Sequence, residues 1–148
     1  MKNLLPLFTI IFLFSCYNNS WRKNESKKIK QVLLYQESEW NNGNIDGFMS
    51  GYWNSEKLEF SSKNNTTYGW QKTLEKYKNS YPTREKMGEL IFEIIDLKLT
   101  SDTTAIVNGT WELIRINDNP KGNFILTFQK INQKWLIIKD FTTSFEEY

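Results

Sequence analysis

Few residue types in this chain can carry chemistry, and histidine is not one of them: the sequence has none. Its absence removes the commonest general base and the commonest metal ligand, so histidine-dependent triads and most zinc sites are excluded. The candidates that remain are carboxylates, tyrosines and Arg115. Asp140 lies between Ile138 and Phe141 in an apolar stretch, where a carboxylate titrates above its usual range and can act as a general base. A structural ion pair with Arg115 or a lysine is the other reading. Asp46 falls at the start of a short helix, where a carboxylate either favours the helix dipole or does chemistry. Tyr52, Tyr77 and Tyr81 are phenol donors for a ligand carbonyl. A tyrosine beside a carboxylate in an apolar site supports enolisation, which makes Asp140, Asp46 and Tyr77 the catalytic candidates. Arg115 shares a strand face with Val107, Trp111 and Leu113. It either meets an anionic or carbonyl-bearing ligand or ends the strand in solvent. No residue pattern calls for a cofactor or a metal.

These groups must be positioned by the surrounding elements. Ser26 predicts an N-cap for a helix to about Asn41, with Ile29, Val32, Leu33 and Trp40 on one stripe and Gln36 interrupting it. Asn42-Gly43 ends that helix, and Asn44 caps a second one from Ile45 to about Tyr52. Gly47 and Gly51 inside it point to close backbone approach. Leu58 and Phe60 mark a short strand, and Asn64 to Thr67 a loop. A third helix, Gly69 to Tyr81, stops at Pro82, with Trp70, Leu74, Tyr77 and Tyr81 on one face.

From Met87 to Phe145 the pattern changes to four consecutive strands. Leu90, Phe92 and Ile94 alternate, then the apolar phase flips to Ile95, Leu97 and Leu99, which predicts a β-bulge. Thr100 to Thr103 makes a turn, Ala105 to Ile116 a strand, and Asn117 to Gly122 a loop. Asn123 to Ile131 and Lys134 to Phe145 follow, joined at Asn132-Gln133. Helices followed by antiparallel strands define an α+β domain: three N-terminal helices packed on a curved antiparallel sheet.

At 148 residues the chain is one domain by length, and a net charge of +2 argues against a nucleic-acid binder. The N-terminus carries its own signal. Lys2 precedes an apolar run, Leu4 to Phe14, which falls short of the roughly 20 residues a membrane span needs and fits a secretory segment. The run ends at Leu13-Phe14-Ser15-Cys16, which resembles a bacterial lipobox, and Cys16 is the only cysteine. Residues 1–15 are therefore expected to be a leader, Cys16 the lipidated residue, 16–25 a tether and 26–148 the domain, held at the bacterial cell envelope on its periplasmic or surface face.

The domain resembles a known family. Trp40 to Met49, Gly51-Tyr52-Trp53, Gly69-Trp70 with Lys76-Tyr77 and Tyr81-Pro82, Met87 to Leu90, Val107 to Arg115, Gly122 to Leu126 and Trp135 to Thr143 together are similar to SnoaL-like domains of the nuclear transport factor 2-like superfamily, in the branch called domain of unknown function 4440. The resemblance implies a cone-shaped fold with a pocket at its open end, and dimers. It also implies either ligand binding or isomerase, cyclase or dehydratase chemistry. The pocket would take its lining from Trp40, Phe48, Tyr52, Trp53 and Trp70, from Tyr77, Tyr81 and Trp111, and from the polar groups Arg115 and Asp140. Where the branch closes with Asp-His-Thr-Ser, this chain has Asp140, Phe141, Thr142 and Thr143. Three readings stay open: a carrier of a small, largely apolar molecule, an Asp–Tyr enzyme, and a dimerising interaction module.

Overall fold

The computed structural model describes the backbone of residues 7–63 and 65–145, with side chains from residue 20. The side chain of Cys16 and the start of the expected leader lie outside the described residues. Helix α1 (Leu7–Asn41) leads into α2 (Ile45–Met49), strands β1 (Glu59–Ser62) and β2 (Asn65–Tyr68), helices α3 (Trp70–Ser80) and α4 (Arg84–Met87), and four long strands. These are β3 (Glu89–Leu99), β4 (Thr104–Ile114), β5 (Lys121–Ile131) and β6 (Lys134–Ser144). The sheet runs β2-β1-β6-β5-β4-β3, antiparallel except that β1 lies parallel to β6, so it is mixed rather than purely antiparallel. The helices pack on its concave face.

Two further expectations need correcting, and one element is new. Helix α1 does not begin at Ser26. It already includes the stretch expected to be a tether, because Trp21 is half-buried and Glu25 is 2% exposed on the stripe that continues through Ile29, Leu33, Gln36 and Trp40. Asn65 to Thr67 belongs to a strand, not a loop, because β2 pairs with β1 through the Ser61–Thr66 and Phe60–Thr67 register. The short helix α4 was not foreseen; Thr83 caps it by accepting from the Lys86 N–H. Among the described residues no helix is long and apolar enough to cross a membrane.

The concave face of β4 carries Ala105, Val107 and Leu113, all buried, while Ile106 and Ile114 face outward. The foreseen bulge lies between Ile94 and Asp96. A second register shift, between Thr127 and Phe128 of β5 opposite β6, leaves Ile138 without a partner. Past it the inward phase of β6 switches from Trp135 and Ile137 to Asp140 and Thr142. The β5–β6 turn uses positive φ at Asn132 (48°) and Gln133 (64°), the geometry of a tight two-residue hairpin.

Helix α1 also covers the free edge of the sheet. Asn41 Nδ2 donates to the Leu90 carbonyl at 2.9 Å and its Oδ1 accepts from the Leu90 N–H at 2.7 Å, while Glu37 accepts from the Phe92 N–H at 2.7 Å. Edge groups satisfied in this way cannot template another chain. Gly51 has the close approach expected of it: a Cβ there would sit 2.6 Å from the Gln36 amide, which donates to the Phe48 carbonyl.

Candidate functional site

The helices and the curved sheet enclose a cavity of about 410 Å³, within the range of small-molecule sites. Its polar centre is Asp140. The bulge at Ile138 turns this carboxylate inward, and it is only 6% exposed. Oδ2 accepts a hydrogen bond from the Tyr52 hydroxyl at 2.7 Å, and Oδ1 has no partner among the described residues. Tyr52 reaches this position because its own segment docks on β6. The Trp53 N–H donates to the Ile137 carbonyl at 2.9 Å, and the Ile137 N–H donates to the Gly51 carbonyl at 3.0 Å.

Burial dominates the electrostatics. It pushes the Asp140 carboxyl up to about 7, against the opposing pull of the Tyr52 hydrogen bond and the Lys76 charge. Tyr52 is raised well above the ordinary phenol range by burial, then by the Asp140 charge and by Tyr77. Tyr77 is raised by burial and by Asp140. Both phenols therefore stay protonated while Asp140 changes charge near neutrality. At the centre, Asp140 is the group that gains or loses a proton near neutrality, and Tyr52 and Tyr77 keep their hydroxyl protons and so remain available as hydrogen-bond donors.

Around this centre the walls are aromatic. Trp40 meets Phe48 at 5.1 Å and Tyr81 at 4.8 Å, and Tyr77 meets Phe48 at 5.2 Å and Phe60 at 5.5 Å, all edge to face. Trp40 is fixed by its indole N–H donating to the Met87 carbonyl at 3.2 Å, and Trp111 by donating to the Thr143 carbonyl at 3.2 Å. At the far end of β4, Arg115 lines the cavity. Its Nη1 donates to the Lys86 carbonyl at 3.1 Å, and its Nε lies 2.9 Å from Asp118 Oδ1.

Of the residues singled out from the sequence, Trp40, Phe48, Tyr52, Tyr77, Tyr81, Trp111, Arg115 and Asp140 line the cavity. Trp53 and Trp70 do not; the Trp70 indole turns toward α2 and donates to the Met49 carbonyl at 2.9 Å. Asp46 is a correction as a catalytic candidate. Its side chain is 61% exposed and pairs with Lys78 on the surface, which leaves the helix-dipole role. Phe141 is 45% exposed on the outer face and points away from the cavity. Sequence reasoning missed Phe60, Phe92, Phe124, Leu126 and Thr142 as lining. Strand alternation from Trp111 across the β3 and β5 registers would have found Phe92 and Phe124.

A helix-backed, bulged, cone-like sheet around an aromatic cavity defines a class of protein, and solved structures bear this out. An NTF-2 like protein of unknown function from Shewanella oneidensis MR-1 matches with a TM-score of 0.79 at 40% identity, over 80% of this chain and 98% of that one. The chain belongs to this family of NTF2-like proteins. A ketosteroid isomerase-like protein from Erwinia carotovora atroseptica SCRI1043 matches in fold, with a TM-score of 0.68 at 14% identity over 82% and 96% of the two chains. So does a candidate scytalone dehydratase from Novosphingobium aromaticivorans DSM 12444, with a TM-score of 0.66 at 14% identity over 86% and 89%. No protein-family model matches the sequence, and no curated protein matches it.

Proposed function

We propose that this protein is a lipid-anchored envelope domain that binds a small, largely apolar molecule, using the Asp140–Tyr52 pair to read one polar group of that ligand. The observation that carries the reading is a cavity of about 410 Å³ whose aromatic walls hold a buried carboxylate oxygen with no partner among the described residues. A buried acceptor left unpaired costs about 1–3 kcal/mol, and a ligand hydroxyl or amine removes that cost. Native mass spectrometry of the purified chain tests this. A co-purifying molecule, lost in Thr142→Trp, which fills the cavity, is the expected result. An apo mass together with no binding of apolar probes overturns it. The anchor is tested separately by the mass of the N-terminal peptide, which carries acyl chains in the parent and none in Cys16→Ala.

The second reading is an enzyme of the isomerase, cyclase or dehydratase type, with Asp140 as the proton-transfer group and Tyr52 or Tyr77 as donors. The observation that favours it is the Asp140 carboxyl pushed up to about 7, where a general base works best at neutral pH. Asp140→Asn that binds the same ligand but loses its turnover supports catalysis. Unchanged turnover removes Asp140 from it.

A homodimer completes the proposal, because the outer sheet face exposes Ile95, Ile106, Ile125 and Phe141. Light scattering on the eluting chain should give twice the monomer mass, and Ile125→Glu should return it to monomer.

A further inference from the structure

We infer that the ligand of this cavity is an apolar carboxylic acid whose carboxylate is held by Arg115. This rests on the cavity-binding reading above and adds the ligand's charge.

The charged side chains lining the cavity are unbalanced. Lys76 and Arg115 bring two cationic groups to the wall, and Asp140 is the one acid among the described lining residues. Burial keeps Asp140 largely uncharged below neutrality, so the field inside the cavity is positive. Arg115 is the cation best placed to use that field. Its side chain is 17% exposed, and its inward neighbours on β4 and β3 are apolar: Leu113 and Trp111, paired with Leu90 and Phe92. An ion pair formed among such walls is screened far less than one on the surface.

The guanidinium is also only partly engaged. It carries five N–H donors. Nη1 uses one on the Lys86 carbonyl, while the buried Nε lies 2.9 Å from Asp118 Oδ1 without the alignment of a hydrogen bond. Asp118 itself is half-exposed, so it is a loose partner that solvent already competes for. A planar carboxylate matches the guanidinium fork, and two N–H donors directed at its oxygens make the strong bidentate form of this interaction. A phosphate group fits less well, because a doubly charged, strongly hydrated anion would meet one arginine and a ring of Leu, Phe and Trp. The Lys86 contact holds Arg115 from behind. Gly88 makes room for it, since a Cβ there would lie 2.5 Å from Arg115 Cγ.

The test compares 2-naphthoic acid with 2-naphthalenemethanol, its neutral counterpart of nearly the same shape, by isothermal titration calorimetry on the purified chain. The acid should bind at least about tenfold tighter at low salt, the scale of a charged hydrogen-bond pair, and the advantage should shrink as salt is added. Arg115→Met should remove the advantage while the alcohol binds as before. Asp118→Asn, which removes the competing carboxylate, should tighten the acid about twofold to fivefold and leave the alcohol unchanged, a gain that a folding defect cannot imitate. Equal affinities in the parent chain overturn the inference, as does an acid preference that survives Arg115→Met. Alcohol binding without acid preference sinks only the carboxylate assignment. No binding of either probe sinks it together with the cavity reading.

Discussion

Two buried carboxylates in this molecule behave in opposite ways. Glu25 on α1 is 2% exposed, and Asp140 on β6 is 6% exposed. Burial pushes both upward. At Glu25 it is outweighed by hydrogen bonds from Lys130 at 2.8 Å, Lys28 at 2.7 Å and the Trp135 indole at 2.7 Å, and the carboxyl falls to about 2. At Asp140 a single neutral phenol and a more distant lysine do not outweigh it, and the carboxyl rises to about 7. The depth of burial and the number and charge of the donors decide the outcome together: Asp140 lies deep in the protein with one neutral donor, whereas Glu25 lies nearer the surface with three donors, two of them cationic. A fully satisfied carboxylate is a clamp, here pinning α1 to the β5–β6 hairpin. A partly satisfied one is held ready for something else, and it is the one that faces the cavity.

The contrast can be broken from either side. The largest effect is expected from Glu25→Ala, which leaves Lys130 and the Trp135 indole without their acceptor. It should cost about 3–5 kcal/mol in urea denaturation, with probe affinity per folded molecule unchanged. The pH dependence then separates the two groups. Glu25 has a depressed pKa, so its contribution is complete above the ordinary glutamate value of 4.5 and is lost as pH falls toward about 2. Asp140 has a raised pKa, so stability is intact below its ordinary value of 3.8 and erodes as pH rises from there to about 7. Asp140→Asn should abolish that erosion and make the protein about 4 kcal/mol more stable than the parent at pH 8, while Glu25→Gln leaves it in place. If Asp140→Asn is instead destabilising at pH 8 as well as at pH 5, the carboxylate is structural.

Smaller effects sharpen the comparison. Tyr52→Phe removes the one hydrogen bond that favours ionised Asp140. Carbon NMR of the carboxyl should show its titration moving further up, with a loss of about 1 kcal/mol at pH 5, where Asp140 is neutral. Asp46→Asn should change stability by less than about 0.5 kcal/mol and leave probe binding alone, because its pair with Lys78 is on the surface.

Much of this arrangement was legible in the sequence, for reasons that can be named. The bulge in β3 showed itself because Glu93, Asp96 and Lys98 punctuate the apolar residues, so the switch from Phe92 and Ile94 to Leu97 and Leu99 is visible. The bulge in β6 left no such trace. Trp135 to Ile138 is unbroken apolar sequence, and a slip of phase inside it does not change the pattern. Yet that slip determines whether Asp140 or Phe141 enters the cavity. The start of α1 was hidden for a related reason: the stripe Trp21, Glu25, Ile29, Leu33 has helical spacing, but a glutamate in it reads as a solvent position until its partners are known. Those partners, Lys130 and Trp135, lie more than a hundred residues away.

The sequence by itself determined the class of fold, the aromatic character of the cavity and the absence of histidine chemistry, because periodicity and composition are local properties of the chain. Only the tertiary structure decided which carboxylate is clamped and which is poised. A pKa is set by what surrounds a group in space, and the donors that hold Glu25 down, like the phenol that faces Asp140, are brought there by the fold from distant parts of the chain.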